Sequence, residues 1–396
     1  MGTFISIQNY VLCILYIVIL IKELIFLINP SKHFFAGGNT AEGFYSLFNN
    51  IIDINDANRI IYLKGGPGTG KSSLMKSIAD FFIKSNYTVE FFHCSSDSNS
   101  LDSIRIKELK IAMVDGTAPH MLDPKVPGAI DKIINLGDLL DENKLKKHKN
   151  EIIKISNEIS ETFKRTYRYL NAAKTIHEDW SILNCRAKNY DNLYKLEKEL
   201  KNNLFKENIS NDSRGKKRHL FISAISPEGI VSHTDSVYIG IKDIYVLNGA
   251  PGTGKTEILN SISNEAINRG FLVEYYHNPL IPNMLEHIVI PDLNSAIVTS
   301  NEINKQFLDG EQIYMDNLLD LSILNSNRTK INEDKELFYT LINKATDILH
   351  SEKSLHDDLE KYYVNNMDFS KIPQIRESII AVSYTHLRAH ETLANL

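Results

Sequence analysis

Two short stretches of this sequence carry the residue types that handle phosphate. Residues 65–73 read GGPGTGKSS and residues 249–257 read GAPGTGKTE. Both fit the pattern G-x-x-x-x-G-K-[S/T], in which glycines leave the backbone unobstructed so that successive N–H groups can turn toward one anion. In the first stretch, Gly65, Gly66, Pro67, Gly68, Thr69 and Gly70 would form that cradle. Lys71 would reach the β- and γ-phosphates of a nucleotide, and Ser72 would offer a hydroxyl to Mg²⁺. Ser73 continues into an expected helix whose positive N-terminal end faces the same anion. Gly249, Ala250, Pro251, Gly252, Thr253, Gly254, Lys255, Thr256 and Glu257 repeat the arrangement, with Thr256 as the second Mg²⁺ hydroxyl. ATP is the expected nucleotide. A guanine reader would want N-K-x-D after a strand, and the nearest string, NKATD from Asn343, has the wrong spacing within a helical pattern.

A phosphate loop that hydrolyses its nucleotide needs an acid at the end of a nearby apolar strand, to hold Mg²⁺ and water. The run IAMV, residues 111–114, ends on Asp115, whereas the matching place in the second half is Thr299. Asp115 is therefore expected to be the Mg²⁺-linked catalytic partner of Lys71, with a turn-capping aspartate as the plainer reading. The loop that follows, DGTAPHMLDPKVPG, puts His120 and Asp123 where a substrate would be felt. Glu90 is a candidate water-activating base, matched by Glu274, with His93 and His277 three residues on and Asp97 just past the strand. A locally paired strand glutamate is an equal reading. Arg165, Arg168 and Arg186 could reach phosphate only if their helix folded over as a lid, and a charged helix face is ordinarily just solvated.

The elements that must position these groups occur twice. Residues 61–114 slide onto 245–298 without a gap, and 20 of the 54 positions are identical. VEFFH (89–93) meets VEYYH (273–277), and HFFAGGNTAEGF (33–44) meets HLFISAISPEGI (219–230). Downstream, INLGDLLD (134–141) meets IYMDNLLD (313–320) after a five-residue shortening. Within each copy a short strand leads to a turn and a helix. A strand then runs into the phosphate loop, a helix follows, and two further apolar strands come after it. Short apolar runs separated by helices predict a buried parallel sheet. Each copy closes with apolar residues every three or four positions, from Ile152 to Leu204 and from Leu337 to Leu359, which predict amphipathic helices in a hairpin. The expected fold class is α/β: two tandem P-loop modules, each a parallel sheet flanked by helices with an α-helical hairpin insert. Residues 31–206 are module 1, 207–217 a polar linker and 218–381 module 2.

The two ends read differently. Fourteen of the nineteen residues from Tyr10 to Ile28 are Val, Leu, Ile or Phe. That length can span a bilayer, but Lys22 and Glu23 nearly cancel the apolar gain, leaving residues 1–30 as a marginal membrane helix or a mis-set start. Residues 382–396, beginning VSYTHLRAHET, read as an in-frame translation of a sequencing adapter, so His386 and His390 are not taken as metal ligands. A formal charge of −5 argues against general nucleic-acid binding. Three cysteines, Cys13, Cys94 and Cys185, without close spacing, point to a reducing compartment and no disulfide framework. The expected location is cytoplasmic, with a membrane anchor through residues 10–28 as the alternative.

Taken together, HFFAGGNTAEGFYSL, LKGGPGTGKSSLM, FFHCSSDSNSLD, VDGTAPHMLDPKVPGAIDKIINLGD, HLFISAISPEGIVSH and NGAPGTGKTEI resemble a family of uncharacterised bacterial tandem P-loop ATPases seen in Gram-positive spore formers. The resemblance spans about His33 to Ile380 and implies an ATP-binding cytosolic protein without naming a reaction. The expectation is Mg²⁺-dependent ATP hydrolysis at module 1, with a weaker or regulatory site at module 2. Two alternatives stand beside it. One is a small-molecule kinase using the Asp115–His120 loop. The other is a non-catalytic nucleotide-dependent switch or adaptor with an unidentified protein partner.

Overall fold

The computed structural model describes residues 31–117, 122–205, 210, 213–304 and 308–394, with the side chains of 384–394 set aside. The apolar segment 10–28, His120 and part of the 207–217 linker lie outside the described residues, as do residues 395–396 and the side chains of most of the segment from Val382. Among the described residues, no helix is long and apolar enough to cross a membrane.

Each copy builds eight strands. In copy 1 they are β1 (Lys32–Phe35), β2 (Gly37–Thr40), β3 (Gly43–Ser46), β4 (Arg59–Lys64), β5 (Val89–His93), β6 (Leu101–Ile106), β7 (Ile111–Asp115) and β8 (Asp131–Asn135). Copy 2 repeats them as β9 (Lys217–Leu220), β10 (Ser223–Ser226), β11 (Gly229–Ser232), β12 (Asp243–Asn248), β13 (Val273–His277), β14 (Leu285–Ile290), β15 (Ser295–Ser300) and β16 (Glu311–Tyr314). The helices are α1 (Lys71–Lys84), α2 (Glu142–Lys147), α3 (Lys149–Cys185), α4 (Tyr190–Leu204), α5 (Thr234–Val237), α6 (Lys255–Asn268), α7 (Leu321–Val364) and α8 (Ile372–Ala394).

The two six-stranded sheets have the same order, β1-β5-β6-β7-β4-β8 and β9-β13-β14-β15-β12-β16. Their pairing is parallel throughout except at β6 and β14, which run against both neighbours. The α/β class with two P-loop-like modules is therefore as expected, but the sheets are mixed rather than parallel. LDSIRI and LEHIVI escape an apolar-run criterion because Asp102, Ser103, Glu286 and His287 are polar yet buried. A second difference follows β1 and β9, where hairpins β2–β3 and β10–β11 replace the expected turn and helix. Gly43 (φ 95°) and Gly229 (φ 102°) take positive φ at the hairpin turns, and Thr40 Oγ1 donates to the Gly43 carbonyl at 2.8 Å.

One face of each sheet contributes to a shared central core, where Phe34, Tyr62, Phe92 and Val114 cluster with Val246, Tyr276, Val289 and Val298. At its edge, Phe35 and Phe221 exchange backbone hydrogen bonds of 2.9 and 3.0 Å across an antiparallel bridge. These are equivalent residues of the two copies, so the copies face each other about an approximate two-fold axis. Buried charges obey the same relation. Arg218 of copy 2 binds Glu90 of copy 1 at 2.7 Å, and Lys32, its counterpart, lies 3.6 Å from Glu274.

The long helices depart furthest from expectation. The expected hairpin within each copy is replaced by pairing between the copies, and each terminal arm serves the opposite copy. α4 packs on α6, burying Leu193, Leu200 and Leu204 with Ile258, Ile262 and Ala266. α8 packs on α1, adding Ile372, Ile375 and Ile379 to the cluster of Leu74, Ile78 and Phe82. Between them α3 and α7 pair along their length through Leu170, Ala173, Trp180, Phe338, Ile342, Ala345 and Leu349. A 3.6-residue apolar stripe says that a helix is covered on one side, not by which neighbour.

Candidate functional site

Each phosphate loop joins a sheet strand to a helix. β4 ends at Lys64 and α1 begins at Lys71; β12 ends at Asn248 and α6 begins at Lys255. Both helices have a left-handed glycine as N-cap, Gly70 at φ 85° and Gly254 at φ 102°, and neither has a side-chain cap. The first-turn N–H groups are thus left without the side-chain acceptor that usually satisfies them, which is the condition for binding an anion there. The lysines fold back onto their own loops. Lys71 Nζ donates to the Gly65 and Gly66 carbonyls at 3.0 and 2.8 Å, and Lys255 Nζ to those of Gly249 and Ala250 at 2.6 Å each. Thr69 and Thr253 brace the loops by donating to the carbonyls three residues back.

β7 lies beside β4 in parallel register, with Asp115 opposite Leu63. This brings Asp115 Oδ2 to 3.6 Å from Lys71 Nζ. Its other oxygen accepts from the Thr117 N–H at 2.9 Å and from the Thr117 hydroxyl, so the turn-capping contact and the lysine contact coexist. Ser72 Oγ accepts from the Leu101 N–H at 3.0 Å, whereas Thr256 Oγ1 donates to the Leu285 carbonyl at 3.4 Å. Ser73 is exposed at the head of a groove along α1 that includes Lys76, Asp80 and Arg376 of α8. Glu257 at the matching place is paired with Lys188 at 2.5 Å.

At loop 2 the position opposite Leu247 is Thr299, as aligned. Acids nevertheless approach from elsewhere. Lys255 is held below its usual range by burial, against the attraction first of Glu302 and then of Asp316 and Glu286. Glu302 accepts a 2.6 Å contact with His177, reaching in from α3 of copy 1. Burial drives Glu286 up to about 8, opposed by a hydrogen bond from Asn301 at 2.9 Å. Among the described residues, Glu286 Oε2 and Glu302 Oε2 have no hydrogen-bond partner. Sequence reasoning missed both. For Glu286 a signal was present: an acid follows the leucine of LDSIRI and of LEHIVI alike, and Asp102 is likewise buried at 4% exposure. Because β6 and β14 run antiparallel, those acids arrive at the phosphate-loop end of the sheet. Glu302 had no such signal, since its companion is a histidine 125 residues away.

Glu90 does not belong to the site. It sits opposite Arg105 on β6, which pairs with Ala112 on β7, level with Ile60 at the start of β4. That leaves it at the far end of the sheet from Gly65. It is buried at 3% exposure between Arg218 and Arg105. Burial pushes its carboxyl up, but the Arg218 charge and hydrogen bonds prevail and hold it at about 2, too acidic for a base near neutrality. Glu274 is tied to Arg218, Lys32 and the Tyr276 hydroxyl. His93 and His277 instead bond His33 and His219 at 2.8 and 2.9 Å. Asp97 pairs with Lys353 at 3.1 Å, and Asp123 points into solvent 3.7 Å from Lys64. Arg165, Arg168 and Arg186 are exposed on or just beyond α3. From that helix Ser181 and Asn184 reach a phosphate loop.

Over residues 45–185 the chain matches the family model described as nephrocystin 3, N-terminal. No curated protein and no solved structure matches the chain. With the two strand–loop–helix sheets, the match indicates an NTPase-type domain.

Proposed function

We propose that the protein binds Mg·ATP at both phosphate loops and hydrolyses it at loop 1. The carrying observation is Lys71, held inside its loop and 3.6 Å from the strand-end carboxylate of Asp115, at the foot of a helix with no side-chain cap. The residues fit the ligand. Gly65 to Gly70 and the first turn of α1 supply N–H donors, Lys71 supplies the cation that neutralises charge developing on the terminal phosphate, and Ser72 and Asp115 would hold the metal. Bound Mg²⁺ would polarise the phosphoryl group and order the attacking water. At loop 2 the donors and Lys255 are the same, but Glu302 is engaged by His177 and burial favours the protonated form of Glu286. This supports nucleotide binding with slow turnover there.

Phosphate release from the purified chain tests the reading. Lys71→Ala is expected to reduce the rate on the order of 100-fold, the usual scale for removing one transition-state donor. Lys255→Ala should reduce it less than about tenfold by the same measure. Equal losses would remove the assignment of hydrolysis to loop 1. Release only on adding an acceptor would favour the kinase reading, for which the loop beginning at Asp115 is the motive.

A further inference from the structure

Both phosphate loops are roofed by a helix of the opposite copy. On loop 1, a Cβ added to Gly66 would stand 2.7 Å from the Tyr363 ring, and one added to Gly68 would stand 2.7 Å from Val364 and 3.2 Å from the Glu360 carbonyl. On loop 2, a Cβ on Gly252 would run into the Ser181 carbonyl, and Asn184 Nδ2 donates to the Pro251 carbonyl at 2.7 Å. Isolated bridges pair Leu140 with Met367 and Lys188 with Leu319, joining each copy to the other just beyond these helices. The repeat register equates Leu140 with Leu319 and Lys188 with Met367, so it also equates His177 with His356, Ser181 with Glu360 and Asn184 with Tyr363.

The roofs share a backbone and differ in charge. His356 Nε2 lies 3.5 Å from Glu360 Oε1. The Glu360 carboxyl is held below the usual carboxylate range first by that histidine, and its Cβ lies 3.5 Å from where a Cβ on Gly68 would stand. An acidic side chain therefore leaves α7 at the mouth of loop 1. Ser181, its counterpart over loop 2, carries no charge.

We propose that α7 closes loop 1 and sets the Glu360 charge at its mouth, so that an incoming nucleotide must displace α7, and that the α3–α7 seam carries this displacement to the roof of loop 2. The inference rests on loop 1 being a nucleotide site. Tyr363 and Val364 fill the space above Gly66 and Gly68, and a triphosphate would be repelled by the neighbouring carboxylate, so the roof and the nucleotide exclude each other. The seam is packed along its length, and a packed interface shifts as a unit rather than by gradual deformation. Two ion pairs also link arms to module bodies: Lys353 on α7 holds Asp97 of copy 1, and Lys188 holds Glu257 of copy 2.

The chain carries its own reporter, because its one tryptophan, Trp180, is buried in the α3–α7 seam beside Ser181. The experiment titrates the full chain bearing Lys255→Ala with Mg·ADP, reading calorimetric heat and Trp180 emission together. Nucleotide entering loop 1 is expected to change Trp180 emission, although the seam touches no loop 1 residue through Trp180 itself. Adding Glu360→Gln, an isosteric change, is expected to tighten binding about tenfold, the scale of removing one neighbouring like charge. Heat without an emission change, or a Glu360→Gln affinity within about twofold of its parent, would overturn the proposal and leave the nucleotide site standing. If the unmodified chain gives no heat with Mg·ADP or Mg·ATP, the site assignment and this proposal fall together.

Discussion

Loop 1 and loop 2 have one backbone and two electrostatic settings. Both have a left-handed glycine N-cap, an uncapped helix and a lysine turned onto two loop carbonyls. Beside Lys71 stands Asp115, at a strand end, with a threonine turn beneath it. Beside Lys255 the strand end is Thr299, which accepts from Asn301, and the acids come from the antiparallel neighbour strand and the following loop. Copies of a fold can keep an anion cradle because glycine positions and a strand–helix junction define it. The acid depends on single side chains and can move or be neutralised without disturbing that geometry.

Glu286 offers the first test. Its folded value of about 8 exceeds the ordinary carboxyl value of 4.5, so its proton stabilises the fold below about pH 4.5 and that contribution is lost as pH rises through 8. Glu286→Gln should lie close to the parent at pH 5 and exceed it in stability at pH 9, by about 4 kcal/mol on linkage grounds. A constant difference across pH would show that Glu286 is ionised throughout, and loop 2 would then carry a working acid.

The contrast extends to the interface between copies and can be broken there as well. Arg218 bridges Glu90 and Glu274, with additional bonds to the Asn50 and Ile51 carbonyls at 3.1 and 3.2 Å. Arg218→Ala would leave Glu90 with Arg105 and Glu274 with Lys32 and the Tyr276 hydroxyl, and a loss of about 3 kcal/mol in urea unfolding is expected, the low end for breaking a buried pair. Lys32→Ala removes only a half-buried 3.6 Å pair and should cost less than about 1 kcal/mol. Comparable losses would mean the interface is more symmetric than its geometry.

The smallest effect concerns histidines gathered across the interface on one side and not on the other. His33 and His93 of copy 1 cluster with His233 of copy 2, ring centroids 4.4–5.5 Å apart, whereas among the described residues His219 and His277 of copy 2 form a pair. Burial holds His33 at about 4 and His233 at about 3. A depressed histidine stabilises above its unfolded value of 6.5, and that contribution is lost as pH falls toward 3–4. His233→Phe should therefore lessen the fall in stability between pH 6.5 and 4.5, by about 2 kcal/mol. An unchanged acid limb would exclude the cluster as its source.

Much of the site could be read before folding because it is local. Gly65 to Ser72 and Gly249 to Thr256 are contiguous, and strand-before, helix-after context follows from short-range patterning. Asp115 was reachable for the same reason: an acid closing an apolar run sits at a sheet edge wherever that strand pairs. Of the two readings of Glu90, the structure has the paired strand glutamate, because its position along β5 puts it beside Arg105 and Arg218 at the end of the sheet away from Gly65. Asp102 and Glu286 were passed over because a buried strand with polar residues does not look apolar.

The sequence by itself determined the duplication, the two glycine loops between strand and helix and the α/β alternation, since repeats, glycine spacing and hydrophobic period are properties of neighbours along a chain. Only the tertiary structure decided which copy each helical arm covers, which acids meet each lysine, and that Glu360 and Ser181 lie over the loops. Those outcomes depend on contacts between residues far apart along the chain, from Lys71 with Asp115 to Gly68 with Glu360. An apolar stripe specifies that a surface must be buried, while shape and charge across the assembled interface choose the partner.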